Sequence, residues 1–441
     1  MQQRATGNGV GGNDGKLSLA AVTAIGIGGM IGGGIFAVLG LAIATAGHAV
    51  ALTLAGGGVI ALLTGLSYAH LGLAYRDDGG SFTYIEKSFA SPTLAGFAGW
   101  LLVAGYVGTL ALYASAFGDY GASLLTGLSN SAAVAPLLAC VVLLLFLGIN
   151  LTGAKLSGGV ELTVVAIKLA ILTLFAVVGF TTVQPDHFTP VFDRGLVTPL
   201  AAMALIFVAY EGFELIPNAV DEMRDPERNL KRALVIAILI TTVLYVVVAL
   251  VAQGNLSAAQ IQQDQEYVLA VAARPTLGQT GFVLIGLAAL LSTASAINAT
   301  LFGAARLAMV MAREHALPPV FSLRERTRPV PWVSLLVLTG LAMLFTLGAP
   351  LAVISTFASA TFLIIFTAVN LAALKQHRRI GLNRWLPLAG ALLAAVSLVI
   401  LLVHTGRNDP QGLAWLGGFY LAAAVLEALL VARRGRRSYR D

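Results

Sequence analysis

Charged side chains are scarce in this sequence: Asp, Glu, Lys and Arg make up 11% of it, against about a quarter of a soluble globular domain. With 58% hydrophobic residues and a mean hydropathy of +0.86, the 441-residue chain cannot clothe a water-soluble body of its size, so a bilayer must be its solvent. Cysteine is nearly absent. The single Cys140 lies in an apolar run, which excludes an intramolecular disulfide and a thiolate metal cluster. The six histidines (48, 70, 187, 315, 377 and 404) show no paired-ligand spacing, so no metal site and no cofactor is expected. A His, metal or nucleophile constellation at one membrane face is also missing, which argues against a membrane-embedded transferase. No soluble output domain marks a sensor. Residues 1–16 are polar and Gly-rich, carry only Arg4 and Lys16 as basic residues, and lack the apolar stretch and cleavage site of a leader, so they are expected to form a cytoplasmic tail. A formal charge of +6 would point to nucleic acid in a soluble protein, but here the positive charges border apolar spans. Membrane orientation explains them better, and no nucleic-acid partner is expected.

What is present is a series of apolar segments, each near the ~20 residues that cross the hydrocarbon as helix. Twelve are expected, at 18–46, 48–73, 94–124, 132–152, 157–183, 197–222, 229–253, 277–312, 331–348, 350–374, 385–404 and 411–432. Of the 27 basic residues, Arg194, Arg274 and Arg407 fall in odd-numbered loops and Lys168 and Arg306 within spans. All others lie in even-numbered loops, at the span ends beside them, or in the tails. That bias sets orientation during insertion and places both termini in the cytoplasm, which requires an even number of spans. The expected fold class is an all-α polytopic protein of the plasma (inner) membrane, with one transmembrane domain over 17–432 and a basic cytoplasmic tail at 433–441. Lipid is its surrounding partner; the sequence does not decide its oligomeric state.

Two spans, the first and sixth, are interrupted. In the first, Gly26 to Phe36 (GIGGMIGGGIF) has six glycines in eleven positions. Each interior glycine costs a helix about 1 kcal/mol relative to alanine, and exposed backbone groups in lipid cost several kcal/mol more. The run therefore survives only if it is buried and the freed groups are used. Amides of Gly32, Gly33 and Gly34 at a new helix start would form an anion site strengthened by the helix dipole. Carbonyls near Gly28 and Met30 would accept from an ammonium, so one break offers a partner to each half of an amino-acid zwitterion. Close packing through small residues is the alternative use of such glycines.

The sixth span reads Phe207-Val208-Ala209-Tyr210-Glu211-Gly212-Phe213-Glu214, a glycine between two carboxylates. Acids at that depth are costly and usually functional. Three apart, Glu211 and Glu214 are expected to share a helix face. Glu214 is the candidate for a protonation role, and Glu211 for a backbone-carbonyl contact. Lys168 lies too deep in the fifth span to reach either surface, so it either cycles between ammonium and amine or is held by Glu161 or by carbonyls. The eighth span carries Ser292, Thr293, Ser295, Asn298 and Thr300, which line a pathway or bond to their own helix. Phe36, Phe207, Tyr210 and Phe357 are candidates to gate a cavity, though aromatics in spans more often pack.

Taken jointly, Gly28 to Phe36, Asp78 to Tyr84 (DGGSFTY), Ala209 to Glu214, Asp225 to Ala233 (DPERNLKRA) and Ser295 to Thr300 (SAINAT) resemble the amino acid–polyamine–organocation (APC) transporters, most closely the proton-coupled, sodium-independent ApcT-like members. The resemblance covers nearly the whole chain. It implies a LeuT-type inverted repeat of five plus five helices, about 18–183 and 197–374, with helices 1 and 6 unwound and two extra helices at about 385–432. It implies a substrate site between helices 1, 3, 6, 8 and 10, with Met30, Ile31, Gly32, Gly33, Gly34, Phe207, Val208, Tyr210 and Glu211 as the substrate-binding set. It also places Lys168 where other relatives bind sodium, near the Gly28 carbonyl and the hydroxyls of Ser292 and Ser295, so protons and not sodium are the expected coupling ion. Glu214 matches an acidic position of several relatives, proton-sensing exchangers included, whereas ApcT-like members have glycine there; which group carries the proton stays open. A second departure is Arg76-Asp77-Asp78, where the family usually has proline before its Gly-Gly motif. The resulting expectation is a secondary transporter, taking up neutral amino acids with protons by alternating access. An exchanger without net proton coupling, or a carrier of cationic amino acids or polyamines, would use the same parts.

Overall fold

The computed structural model describes residues 16–76, 79–125, 131–153, 158–314, 316–323 and 330–437. The tail before Lys16, residues 438–441, Asp77 and Asp78 of the DGGSFTY motif, and the side chain of Glu161 lie outside the described residues. Among the described residues there is no β-strand, only one isolated bridge between Leu17 and Met223.

Sixteen α-helices follow in order: α1 Leu19–Met30, α2 Gly34–Ala46, α3 Val50–Tyr75, α4 Gly80–Phe89, α5 Pro92–Leu124, α6 Ser131–Leu151, α7 Gly158–Gly179, α8 Thr198–Leu205, α9 Pro226–Asn255, α10 Ala258–Gln263, α11 Val268–Ala272, α12 Arg274–Arg313, α13 Trp332–Gly348, α14 Leu351–Gln376, α15 Trp385–Asn408 and α16 Pro410–Arg437. Two 3-10 segments, Phe207–Tyr210 and Phe213–Glu222, continue α8. Helix starts follow local chemistry. The Ser18 hydroxyl accepts from the Ala21 amide at the head of α1, and Ser91 caps α5 from the Leu94 amide with Pro92 in the first turn, where its missing N–H costs nothing.

These elements make twelve spans: α1 with α2, α3, α5, α6, α7, α8 with its 3-10 continuation, α9, α12, α13, α14, α15 and α16. Length and apolarity alone single out eight described stretches. The count rises because Gly34–Tyr75 is two helices turned at Gly47 (φ 60°), because the sixth span is bent by 53°, because α13 has only 17 residues, and because α16 forms the last span. The protein is thus an all-α polytopic membrane protein of LeuT type, its two interrupted spans five apart. The faces turned to lipid carry Leu137, Leu144, Val177, Val243, Leu344 and Val399, each about half exposed or more. The opposite situation holds at the centre. There α5 packs on α12, α14 and α6, α9 packs on α3 and α1, and the two broken spans are enclosed between them.

Candidate functional site

The breaks of the first and sixth spans lie against each other, and glycine is what lets them. A Cβ on Gly29 would stand 2.9 Å from Gly212 Cα, and one on Gly34 would stand 2.7 Å from Ala209 Cα. Both are backbone-to-backbone contacts that no side chain fits. Gly33 lies against the Tyr113 ring of α5 and Gly32 against Ala296 of α12. The glycine run of the first span therefore serves close approach, since none of Gly28, Gly29, Gly32, Gly33 and Gly34 has a positive φ. Gly212 is different: its φ of 120° is one that L side chains rarely adopt, and it turns the sixth span at that point. Packing and an opened backbone, set out from sequence as competing explanations, occur together.

Interrupting a helix in lipid frees carbonyls and amides that must find partners, and the surrounding spans supply them. Tyr245 of α9 donates its hydroxyl to Met30 O (2.5 Å) and Ala209 O (2.9 Å), one side chain bridging both breaks. Ser355 and Ser359 of α14 both donate to Leu205 O at 2.8 Å, and Ser359 Oγ accepts from the Val208 amide at 3.0 Å. Tyr210 OH donates to Leu54 O on α3 (2.6 Å). Lys168, fully buried on α7, donates from Nζ to Gly28 O (3.1 Å) and Ile31 O (3.2 Å), and Ser292 of α12 donates to the same Ile31 O (2.6 Å). The Lys168 amino group thus stands against carbonyls of the first break. The amides at the head of α2, from its N-cap Gly33 on, lie at the positive end of the helix dipole beside the break.

The two carboxylates take different partners. Glu211 is extended (φ −60°, ψ 144°) and its Oε2 accepts the hydroxyl of Thr109 on α5. Glu214 curls back so that its Oε2 accepts the Gly212 amide at 2.7 Å, while its Oε1 is buried with no hydrogen-bond partner. Beyond the crossing, Phe207, Phe213, Phe366 and Tyr68 form an aromatic cluster, edge-to-face in three pairs and tilted between Phe213 and Phe366. Both ends of the crossing are tied. Leu17 donates to Glu222 O (2.7 Å) and accepts from the Arg224 amide (3.0 Å) at one end. At the other, the His48 amide donates to Asp193 (3.0 Å), Arg194 bonds Ala44 O, and Thr53 bonds Pro199 O (3.1 Å).

The sequence profile of the amino acid permease family matches residues 17–419. The chain belongs to that family. Among its relatives, the permease is 30% identical over 421 residues to the inner membrane transport protein YbaT of Escherichia coli, covering 95% of this chain and 97% of that one. It is 28% identical over 440 residues to the methylthioribose transporter of Bacillus subtilis, covering 95% and 93%. In structure it matches the manganese transporter of Eremococcus coleocola crystallised with an aromatic bis-isothiourea compound, with a TM-score of 0.60, 14% identity and coverage of 94% and 93%. That likeness is one of fold. Among the described residues of the permease, no three His, Cys, Asp or Glu come together as a metal would require. The permease is an integral membrane transporter and not an enzyme, in keeping with its family.

The structure gathers Gly28, Met30, Ile31, Gly33, Gly34, Lys168, Phe207, Val208, Tyr210, Glu211, Glu214 and Ser292 of the permease around one crossing, and amends four expectations. The Gly32 amide donates to Gly29 O (3.1 Å) in the turn that ends α1, so the amide cradle starts at Gly33 and not at Gly32. Met30 O already accepts from Tyr245. Ser295 is half-buried, and Ser292 is the hydroxyl on Ile31 O. Glu211 and Glu214 do not share a helix face, because Glu211 is extended and Gly212 has a positive φ, so no helical turn spans them. Tyr245, Thr109, Tyr113, Ser355 and Ser359 went unread from sequence. Ser355 and Ser359, four apart in an apolar helix, were the one periodic signal that pointed to a polar face.

Proposed function

We propose that this permease takes up neutral amino acids together with protons by alternating access, in the plasma (inner) membrane with both termini cytoplasmic. The observation that carries the reading is the Lys168 ammonium on Gly28 O and Ile31 O at 3.1 and 3.2 Å, a fixed cation at the hinge of the first span. A charge there takes the electrostatic place of a bound metal cation, so a sodium ion is not needed, and losing its proton removes what holds those carbonyls. The substrate carboxylate lies on the amides of Gly33 and Gly34, and its ammonium on the carbonyls of Phe207, Val208 and Glu211, with Met30 O shared with Tyr245. Spans 1 and 6 rock about the Gly29–Gly212 contact and expose the site to one side at a time. Glu214, with one carboxylate oxygen on the Gly212 amide and the other unpartnered, is the second group placed to take a proton as the sixth span moves. The basic residues bordering the even-numbered loops support the orientation.

Uptake into proteoliposomes under an imposed pH gradient tests the reading. Lys168→Ala is expected to retain binding but lose the pH dependence of uptake; a pH dependence unchanged from wild type refutes the role of Lys168. Counterflow that proceeds fully without a gradient identifies an exchanger instead.

A further inference from the structure

The amide cradle and the freed carbonyls account for the two charged ends of an amino acid and leave its side chain to be placed. Thr109 and Tyr113 are four residues apart on α5, so they share one face of that helix. The Tyr113 ring rests on Gly33, the first amide of the cradle. Thr109, one turn or about 5.4 Å along the helix, donates its hydroxyl to Glu211 Oε2 in the sixth break. Both residues are buried, Thr109 at 0% and Glu211 at 3% exposure. The bond therefore joins span 3 to the non-helical part of span 6, one helical turn along α5 from the residue that covers the cradle. What flanks it is aromatic: Tyr106, three residues before Thr109 on α5, meets Phe362 of α14 edge-on. The pair offers a hydroxyl and a carboxyl group.

We infer that Thr109 and Glu211 form the side-chain subsite, and that the preferred substrates are amino acids with a hydroxyl or carboxamide side chain: serine, threonine, asparagine and glutamine. The inference rests on the amino-acid reading above and narrows it. A hydroxyl or amide inserted beside Thr109 and Glu211 exchanges hydrogen bonds with both. A valine or leucine side chain covers the pair and leaves it unmatched in a water-free site, and sites built for hydrogen bonding reject such analogues by at least tenfold, roughly. Neither protonation state of Glu211 changes that ordering for neutral side chains, because the pair remains polar in both.

The test is a thermal-shift panel of the twenty amino acids on the purified permease, followed by competition of the same panel against labelled serine uptake in proteoliposomes. Serine, threonine, asparagine and glutamine are expected to compete at concentrations at least about tenfold below valine, leucine and isoleucine. Thr109→Val and Glu211→Leu should flatten that ratio, and Thr109→Ser should keep it. A wild-type preference for the branched apolar amino acids overturns the inference, as does a ratio that persists in both variants. A preference for lysine or arginine also overturns it, since Glu211 is then a counter-charge. All three results leave the amino-acid reading standing. Absence of both shift and uptake with every amino acid sinks that reading, and the inference falls with it.

Discussion

The contact between Gly29 and Gly212 admits a quantitative test through one methyl group. An ideal Cβ on Gly29 falls 2.9 Å from Gly212 Cα, 3.1 Å from its O and 3.3 Å from its carbonyl carbon. Non-bonded carbons settle at about 3.5–4.0 Å, so Gly29→Ala must push the two breaks apart by up to about 1 Å. Neither side yields easily, because every atom met is backbone. The same displacement stretches the bonds that Tyr245 makes to Met30 O at 2.5 Å and Ala209 O at 2.9 Å, on which both breaks depend. Overpacking of this kind costs about 1–3 kcal/mol, and the crossing is also the expected pivot. The matched control is Gly340→Ala on α13, an exposed site where the new methyl meets nothing within 4 Å. There, alanine should gain up to about 1 kcal/mol of helix propensity. Apparent melting temperature in detergent and initial uptake rate in proteoliposomes should be measured side by side. Gly29→Ala is expected to melt a few degrees lower and to lose most of its uptake, while Gly340→Ala melts at or above wild type with uptake unchanged. If Gly29→Ala melts and transports like wild type, the two breaks do not touch as described, and the argument for glycine as the enabling residue fails.

Tyr245→Phe deletes only the hydroxyl that bridges Met30 O and Ala209 O; leaving buried acceptors unpaired costs about 1–3 kcal/mol. A lower melting temperature with slowed uptake is expected, and an unchanged pair of values would show that water or a neighbour serves those carbonyls. Ser355→Ala and Ser359→Ala should be non-additive, since both hydroxyls donate to Leu205 O, and Ser359→Ala should cost more because Ser359 also accepts from the Val208 amide. A double-mutant cycle on thermal stability should return a coupling of about 0.5–3 kcal/mol; strict additivity argues against the shared acceptor.

Much of the architecture is legible in the chain because lipid imposes strong rules. An apolar stretch near 20 residues has few options besides a helix, and the basic loops number the crossings. The two breaks are legible for the same reason, since a glycine cluster or a pair of acids inside such a helix is too costly to be incidental. The capping partners were harder to read. Tyr245 and Thr109 are single polar residues in apolar helices, where bonding to the same helix is equally compatible with the sequence. Which helix faces the break depends on rotation about its axis, and a row of alanines, leucines and valines does not encode that. That Glu211 and Glu214 share no helical turn follows from the φ of Gly212 and the extended backbone of Glu211, and glycine leaves that φ free. Lys168 is the intermediate case: its burial follows from its position, but that its partners are Gly28 O and Ile31 O follows only from the fold.

The partners of the first break come from far along the chain: Lys168 on the fifth span, Tyr245 on the seventh and Ser292 on the eighth. During synthesis the first span leaves the ribosome before any of them exists. Unsatisfied carbonyls in hydrocarbon cost more than the glycines take from a helix, so the nascent first span enters the membrane as one unbroken rod. Its last partner, Ser292, arrives after some two-thirds of the polypeptide has been translated, which makes the completed binding site a late product of assembly.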